Sequence, residues 1–90
     1  MPTIKFTHAL KRFYPDLASL VLQVNDVRQA IEEIDKKYLG IKSYILDDHG
    51  ALRQHVNVFI DGQMIKDRET LSDRLQSDSE VYIMQALSGG

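Results

Sequence analysis

Ser88, Gly89 and Gly90 end the sequence directly after a largely apolar run over residues 80–87. A free Gly-Gly carboxylate is the least hindered acyl group a polypeptide can offer. Without a Cβ, the last two residues adopt almost any φ/ψ and can thread a narrow channel in a partner. A side chain at Gly90 would crowd the carbonyl carbon, and one at Gly89 would widen the tail. The carboxylate alone is a poor acyl donor, because oxide is a bad leaving group. These residues predict a reactive C-terminus carried by the rest of the chain, and the competing expectation is an inert, frayed end.

Other residue types that could do chemistry do not assemble into a pattern. His8, His49 and His55 meet no metal-ligand spacing, even with Asp47 and Asp48 close by, so no metal site is expected. Asp47 and Asp48 read as turn residues rather than an acid–base pair. Ser72, Asp73 and His55 supply the types of a hydrolase triad, but no nucleophile elbow surrounds Ser72. No Gly-rich loop between a strand and a helix cradles a nucleotide. Lys11 and Arg12 beside Phe13 and Tyr14 are too small a basic cluster for nucleic acid at a net charge of -2.

The elements that must hold the tail follow from periodicity. Residues 3–9 alternate, with Ile4 and Phe6 on one face, and residues 19–24 alternate again through Leu20, Leu22 and Val24. They predict an antiparallel strand pair joined by an irregular turn over residues 10–16. Asp26 and Gln29 form a capping box that opens one strong helix. Val27, Ala30, Ile31, Ile34 and Tyr38 make its apolar stripe. Glu32–Lys36 and Glu33–Lys37 pair on its wet side, and Gly40 ends it.

Beyond the helix, residues 41–46 are apolar without a period, and residues 47–50 read as a turn. Val56, Val58 and Ile60 point inward on a strand that ends in the tight turn Asp61-Gly62. A short edge at Met64 and Ile65 follows. Thr70 to Asp73 resembles a second capping box and predicts a single helical turn that buries Leu71 and Leu75. Val81 and Ile83, with Gln85, alternate inward on the last strand. One helix with one apolar stripe covers one face of one sheet, which is an α+β roll.

Composition bounds the rest. Ninety residues suffice for one core, and 43% apolar with 27% charged residues is ordinary for a globular domain. Residues 1–87 are expected to form that domain, with residues 88–90 as a flexible tail. No apolar run reaches the ~20 residues of a membrane span. Nor does the start carry the basic and apolar stretches of a signal peptide. With no cysteine, disulfides, thiol nucleophiles and Cys-based zinc sites are excluded, and the cytoplasm is the expected home.

Two strands, a capped helix, the run Val56-Asn57-Val58-Phe59-Ile60-Asp61-Gly62, the run Thr70-Leu71-Ser72-Asp73 and a strand ending in Gly-Gly together resemble the ubiquitin-like β-grasp family. The likeness is greatest to its sulfur carriers: the small subunit of molybdopterin synthase, the thiamine-pathway carrier and the cysteine-biosynthesis carrier. It covers nearly the whole chain. Ubiquitin-type tails carry arginines just before the glycines, where this chain has Ala86 and Ser88, so the resemblance leans toward the carriers. The extra length over residues 41–54 leans toward the molybdopterin or cysteine types.

The resemblance implies a mixed sheet of four to five strands with one main helix packed across it and a short helical turn. Its last strand is then central and parallel to the first. It also implies that an E1-like adenylating enzyme converts Gly90 to an acyl-adenylate, using ATP and Mg²⁺ held by that enzyme. A sulfur donor protein then makes the thiocarboxylate, and a synthase subunit or other enzyme accepts the sulfur. On this reading the chain is a protein substrate with no bound cofactor and no catalytic residue of its own. The alternative is a modifier joined through Gly90 to lysines. Strand alternation puts Phe59, Tyr82 and Met84 on the face opposite the core, where they predict a docking patch that continues through Leu87 and Ser88.

Overall fold

A computed structural model describes residues 1–85; residues 86–90 lie outside the described residues. Strand β1, Thr3–Phe6, buries Ile4 and Phe6 as its alternation predicts. The next element corrects the expectation of an irregular turn. His8–Lys11 is a one-turn helix, α1, organised around the fully buried Leu10, whose carbonyl accepts the amides of Phe13 and Tyr14. A single turn has no period to read, so only its one anchor residue marks it.

Strand β2 is only Leu20–Val21, paired antiparallel with Thr3 and Ile4. Leu22 and Val24 are still buried, so the inward face runs further than the ladder. Helix α2, Val27–Lys37, is capped as predicted: the Asp26 carboxylate accepts the Gln29 amide at 2.8 Å. The return bond lands one residue earlier than a capping box requires, with Gln29 Oε1 accepting the Asn25 amide at 2.9 Å.

Val27, Ala30, Ile31 and Ile34 are buried along the predicted stripe, and Tyr38 packs half-buried at its end. The two expected i, i+4 ion pairs are not the ones formed. Lys36 turns back to Glu33 at 2.9 Å, and Glu32 takes Lys42 at 2.9 Å. The cause is α3, Lys42–Ile45, a short helix that brings Lys42 alongside α2 and buries Ile41, Ile45 and Leu46. Gly40, at φ +91°, makes the left-handed stop between the two helices.

Strand β3, Val56–Ile60, turns through Asp61 and Gly62, both at positive φ, into β4, Gln63–Met64. Thr70 does not open a helical turn. The Asp67 carboxylate instead collects the amides of Glu69, Thr70 and Ser72 together with the hydroxyls of Thr70 and Ser72. Leu71 is left at φ +59° with its side chain fully buried. Side-chain to backbone bonding by a preceding Asp outcompetes the helix here. Leu75 is buried as expected.

Strand β5, Glu80–Gln85, completes a five-stranded sheet in the order β2-β1-β5-β3-β4. β5 is central, parallel to β1 and antiparallel to β3. Its inward residues Val81 and Ile83 join Ile4, Val56, Val58 and the α2 stripe in one core. The architecture is the α+β roll that periodicity predicts, with the central last strand, parallel to the first, that the β-grasp resemblance implies. The C-terminal end of β5 therefore lies in the middle of the sheet, between the C-terminal end of β1 and the N-terminal end of β3.

Candidate functional site

The face of the sheet turned away from α2 carries the residues expected to dock. On β5 the outward positions are Glu80, Tyr82 and Met84, with Tyr82 and Met84 each 38% exposed. Across the register Tyr82 stands opposite Phe59, and Phe59 stands opposite Met64 on its other side. Lys5 of β1 lies opposite Tyr82 from the other flank and is tied to Glu80 at 3.3 Å. The structure thus brings Phe59, Tyr82 and Met84 together around a shallow depression of about 260 Å³, with Gly62 and Glu80 completing its lining. Met64, 51% exposed, extends the apolar row and was not anticipated. Its two-residue edge strand gives too short an alternation to read.

Gln85 holds the base of the tail. Its amide N–H donates to Thr7 Oγ1 at 3.3 Å, and it sits opposite Val56 in the ladder. Its side-chain nitrogen lies 3.2 Å from His55 Nε2. Gln85 Oε1 is buried with no hydrogen-bond partner among the described residues. Leu87, Ser88, Gly89 and Gly90, the remaining residues expected to act, lie outside the described residues. What the fold fixes is the strand that carries them.

Beside the apolar row sits a cation that the sequence did not signal. Asn57 points outward opposite Met84, and its Oδ1 accepts from Arg68 Nη1 at 2.8 Å. Arg68 Nη2 donates to the Arg53 carbonyl at 2.7 Å, and the Arg68 carbonyl accepts the Leu52 amide at 2.8 Å. The pairing joins a strand to a loop through side chains, a relation that periodicity cannot reveal.

The residues set aside on sequence are structural or peripheral. Ser72 Oγ donates to Asp67, and the Asp73 carboxylate accepts the amides of Lys66 and Asp67, so the imagined triad with His55 is not assembled. Asp47 closes its turn by accepting the amides of Ala51 and His49, which hold its carboxyl below the usual range. A second hollow, about 340 Å³ between α2, α3 and that turn, is lined by both signs of charge. Its cations are already engaged: Arg28 on the Thr70 and Gly50 carbonyls, Lys42 on Glu32, and Arg53 on the Ser43 carbonyl. Among the described residues no three His, Asp or Glu side chains converge on a metal position. None of the described helices is long and apolar enough to cross a membrane.

Comparison with known proteins adds to this geometry. The model of the ThiS family matches residues 4–90. No curated protein matches the chain in sequence. Among solved structures, a chain of the Amycolatopsis orientalis BexX/CysO complex superposes with a TM-score of 0.83 at 17% identity, covering 100% of both chains. CysO of Mycobacterium tuberculosis, described as an antigen, gives 0.81 at 18% identity over 97% of this chain and 100% of that one. The small archaeal modifier protein 1 of Methanosarcina acetivorans gives 0.78 at 24% identity over 99% and 95%. At these identities the likeness to the solved structures is one of fold.

Proposed function

The chain belongs to the ThiS family, within the ubiquitin-like β-grasp sulfur carriers, and on that footing we propose that it carries sulfur as a thiocarboxylate on Gly90. The observation that supports this most is that the family match runs through Gly89 and Gly90. The same reading makes sense of a central last strand, which hands the tail out from the most firmly held element of the sheet.

In this reading the Gly90 carboxylate attacks the α-phosphorus of ATP in an E1-like adenylating partner. Pyrophosphate leaves and a mixed anhydride with AMP remains. A donor protein then delivers sulfur at the oxidation level of hydrosulfide. The C–S bond forms, the C–O bond to AMP breaks, and AMP departs with the bonding pair. The thiocarboxylate passes to a sulfur-accepting synthase subunit or enzyme of cofactor or cysteine biosynthesis. ATP and Mg²⁺ are the partner's, whose electrostatics stabilise the developing charge. The chain itself serves as protein substrate rather than enzyme.

Docking uses Phe59, Tyr82 and Met84, continued by Leu87 and Ser88, and a stable complex would bury on the order of 800 Å² on this chain. Intact-mass spectrometry of the protein from its native host tests the reading. Sulfur in place of one terminal oxygen supports it. Protein that keeps both oxygens while the adenylating partner is active overturns it.

A second reading is favoured by the likeness to the small archaeal modifier protein: Gly90 joined by an isopeptide bond to lysines of other proteins. Both readings share the adenylate and differ in the second nucleophile. Gly-Gly remnants on lysines of host proteins after digestion would select the modifier.

A further inference from the structure

We propose that Arg68 is a preorganised carboxylate receptor at the rim of the outer sheet face, and that the surface seated there is a protein partner presenting an Asp or Glu beside an apolar patch. For the identity of that partner, the adenylating enzyme, the inference rests on the reading above.

Arg68 is held at both ends. Its carbonyl is fixed to the Leu52 amide, and its guanidinium is fixed by Asn57 Oδ1 at 2.8 Å and the Arg53 carbonyl at 2.7 Å. Both guanidinium acceptors are neutral oxygens. Among the described residues no carboxylate approaches within 4.0 Å of Arg68. Two of five N–H donors are used, so donors remain for an incoming carboxylate. A half-buried guanidinium whose orientation is already fixed loses little entropy when a carboxylate meets its fork.

Its placement decides what it meets. Asn57 stands opposite Met84, so the cation borders the apolar row of Met84, Tyr82, Phe59 and Met64 on the tail side. At the far flank of the row, Lys5 is neutralised by Glu80. The surface is therefore apolar in the middle, positive at the tail end and neutral at the other. Tyrosine and arginine around a desolvated centre are also the residues that dominate interface energetics. A bare phosphate would fit the fork but not the apolar row, and a second copy of this chain would bring another arginine to face the first. A protein surface with one carboxylate beside an apolar patch fits both parts. The ion pair sets the register of docking, so that the tail enters its channel in one direction.

Calorimetric titration of the full chain with the E1-like adenylating enzyme of its native host tests this, with melting curves on every variant. Arg68→Met is expected to weaken binding about tenfold or more. Raising sodium chloride from about 50 to about 500 mM should weaken the unaltered protein much more than the variant, since the pair is partly screened. Arg68→Lys keeps the charge and loses the fork. It should bind about threefold or more weaker, and it decides the question if the methionine variant does not fold. Folded variants that bind as tightly as the parent, or a salt response identical with and without the guanidinium, overturn the inference. Binding lost with Arg68 while the parent forms no adenylate supports this interface and overturns the functional reading. Normal adenylation with unchanged binding of the variants does the reverse.

Discussion

Phe59 and Tyr82 stand directly opposite each other across β3 and β5, on the sheet face that α2 leaves uncovered. Opposed residues have Cβ atoms about 4.5–5.5 Å apart, so the two rings form one apolar surface that water meets. Phe59→Asp removes half of that surface and places a charge in it. The cross-strand pair contributes up to about 1 kcal/mol to folding, which for a domain of this size is a fall of about 4–8 °C in Tm. Binding to the proposed adenylating partner should fall at least about tenfold, read by calorimetry on protein shown to be folded by circular dichroism. A folded variant with the parent's affinity would reject the docking role of this face.

Gly90→Ala separates the tail's chemistry from its contribution to the fold. On the proposed reading, a methyl beside the reacting carbonyl obstructs both the attack on ATP and the later attack by sulfur. Misplacement by about 1 Å costs on the order of a hundredfold in rate. ATP–pyrophosphate exchange with the proposed adenylating partner should fall by about that factor. Stability should change by less than about 0.5 kcal/mol, as for a substitution outside the core. A large fall in Tm with normal exchange would make the tail a structural element instead.

The α+β roll was legible because its long elements have clean periods, and the β-grasp order of its strands came with the family resemblance. The α2 stripe of Val27, Ala30, Ile31 and Ile34, the Asp26 cap and the Asp61-Gly62 turn are each set by local chemistry, and each stands where predicted. The pairing of Phe59 with Tyr82 could be foreseen because alternation fixes a face once two strands are neighbours. What was illegible depends on contacts distant in sequence or on elements too short to repeat. α1 hangs on Leu10 alone, and Lys42 takes Glu32 only because α3 packs against α2. Asn57 meets Arg68 through a loop whose path is set by Asp67. The misread stretch at Thr70 shows two local motifs competing for the same residues. A capping pattern and an Asp-centred turn both fit, and the turn prevails because the Asp67 carboxylate collects the amides of Glu69, Thr70 and Ser72 and the hydroxyls of Thr70 and Ser72 at once.

Leu10→Ala tests whether the missed helix is an essential part of the core. The side chain is fully buried, and its carbonyl anchors the two amides that end α1. Truncating a buried leucine costs about 2–5 kcal/mol in transfer and cavity terms. With the whole stability of a small domain at about 5–15 kcal/mol, the variant should lose a large share of it. Urea denaturation should show a lower midpoint with an unchanged slope. A shift worth less than about 1 kcal/mol would show that α1 can leave the core without consequence.

Asp67 gives the fold an acid-sensitive joint. Its carboxyl is held far below the ordinary range, first by the Ser72 hydroxyl, then by the Thr70 hydroxyl, then by the Thr70 amide. A carboxyl whose folded pKa is depressed contributes stability that is fully present above its unfolded value, near 3.9, and is lost as pH falls through its folded value. Asp67→Asn keeps one acceptor oxygen and removes the charge, so it should lower Tm at neutral pH. As pH falls below about 4, the parent progressively loses that contribution and the variant has none to lose, so their melting temperatures should draw together. The parent's remaining acid sensitivity should include Asp47, also lowered, chiefly by the Ala51 amide and next by that of His49. A gap between parent and variant that stays constant over that range would mean that Asp67 orders the loop at residues 67–73 by shape alone, without any dependence on its ionisation.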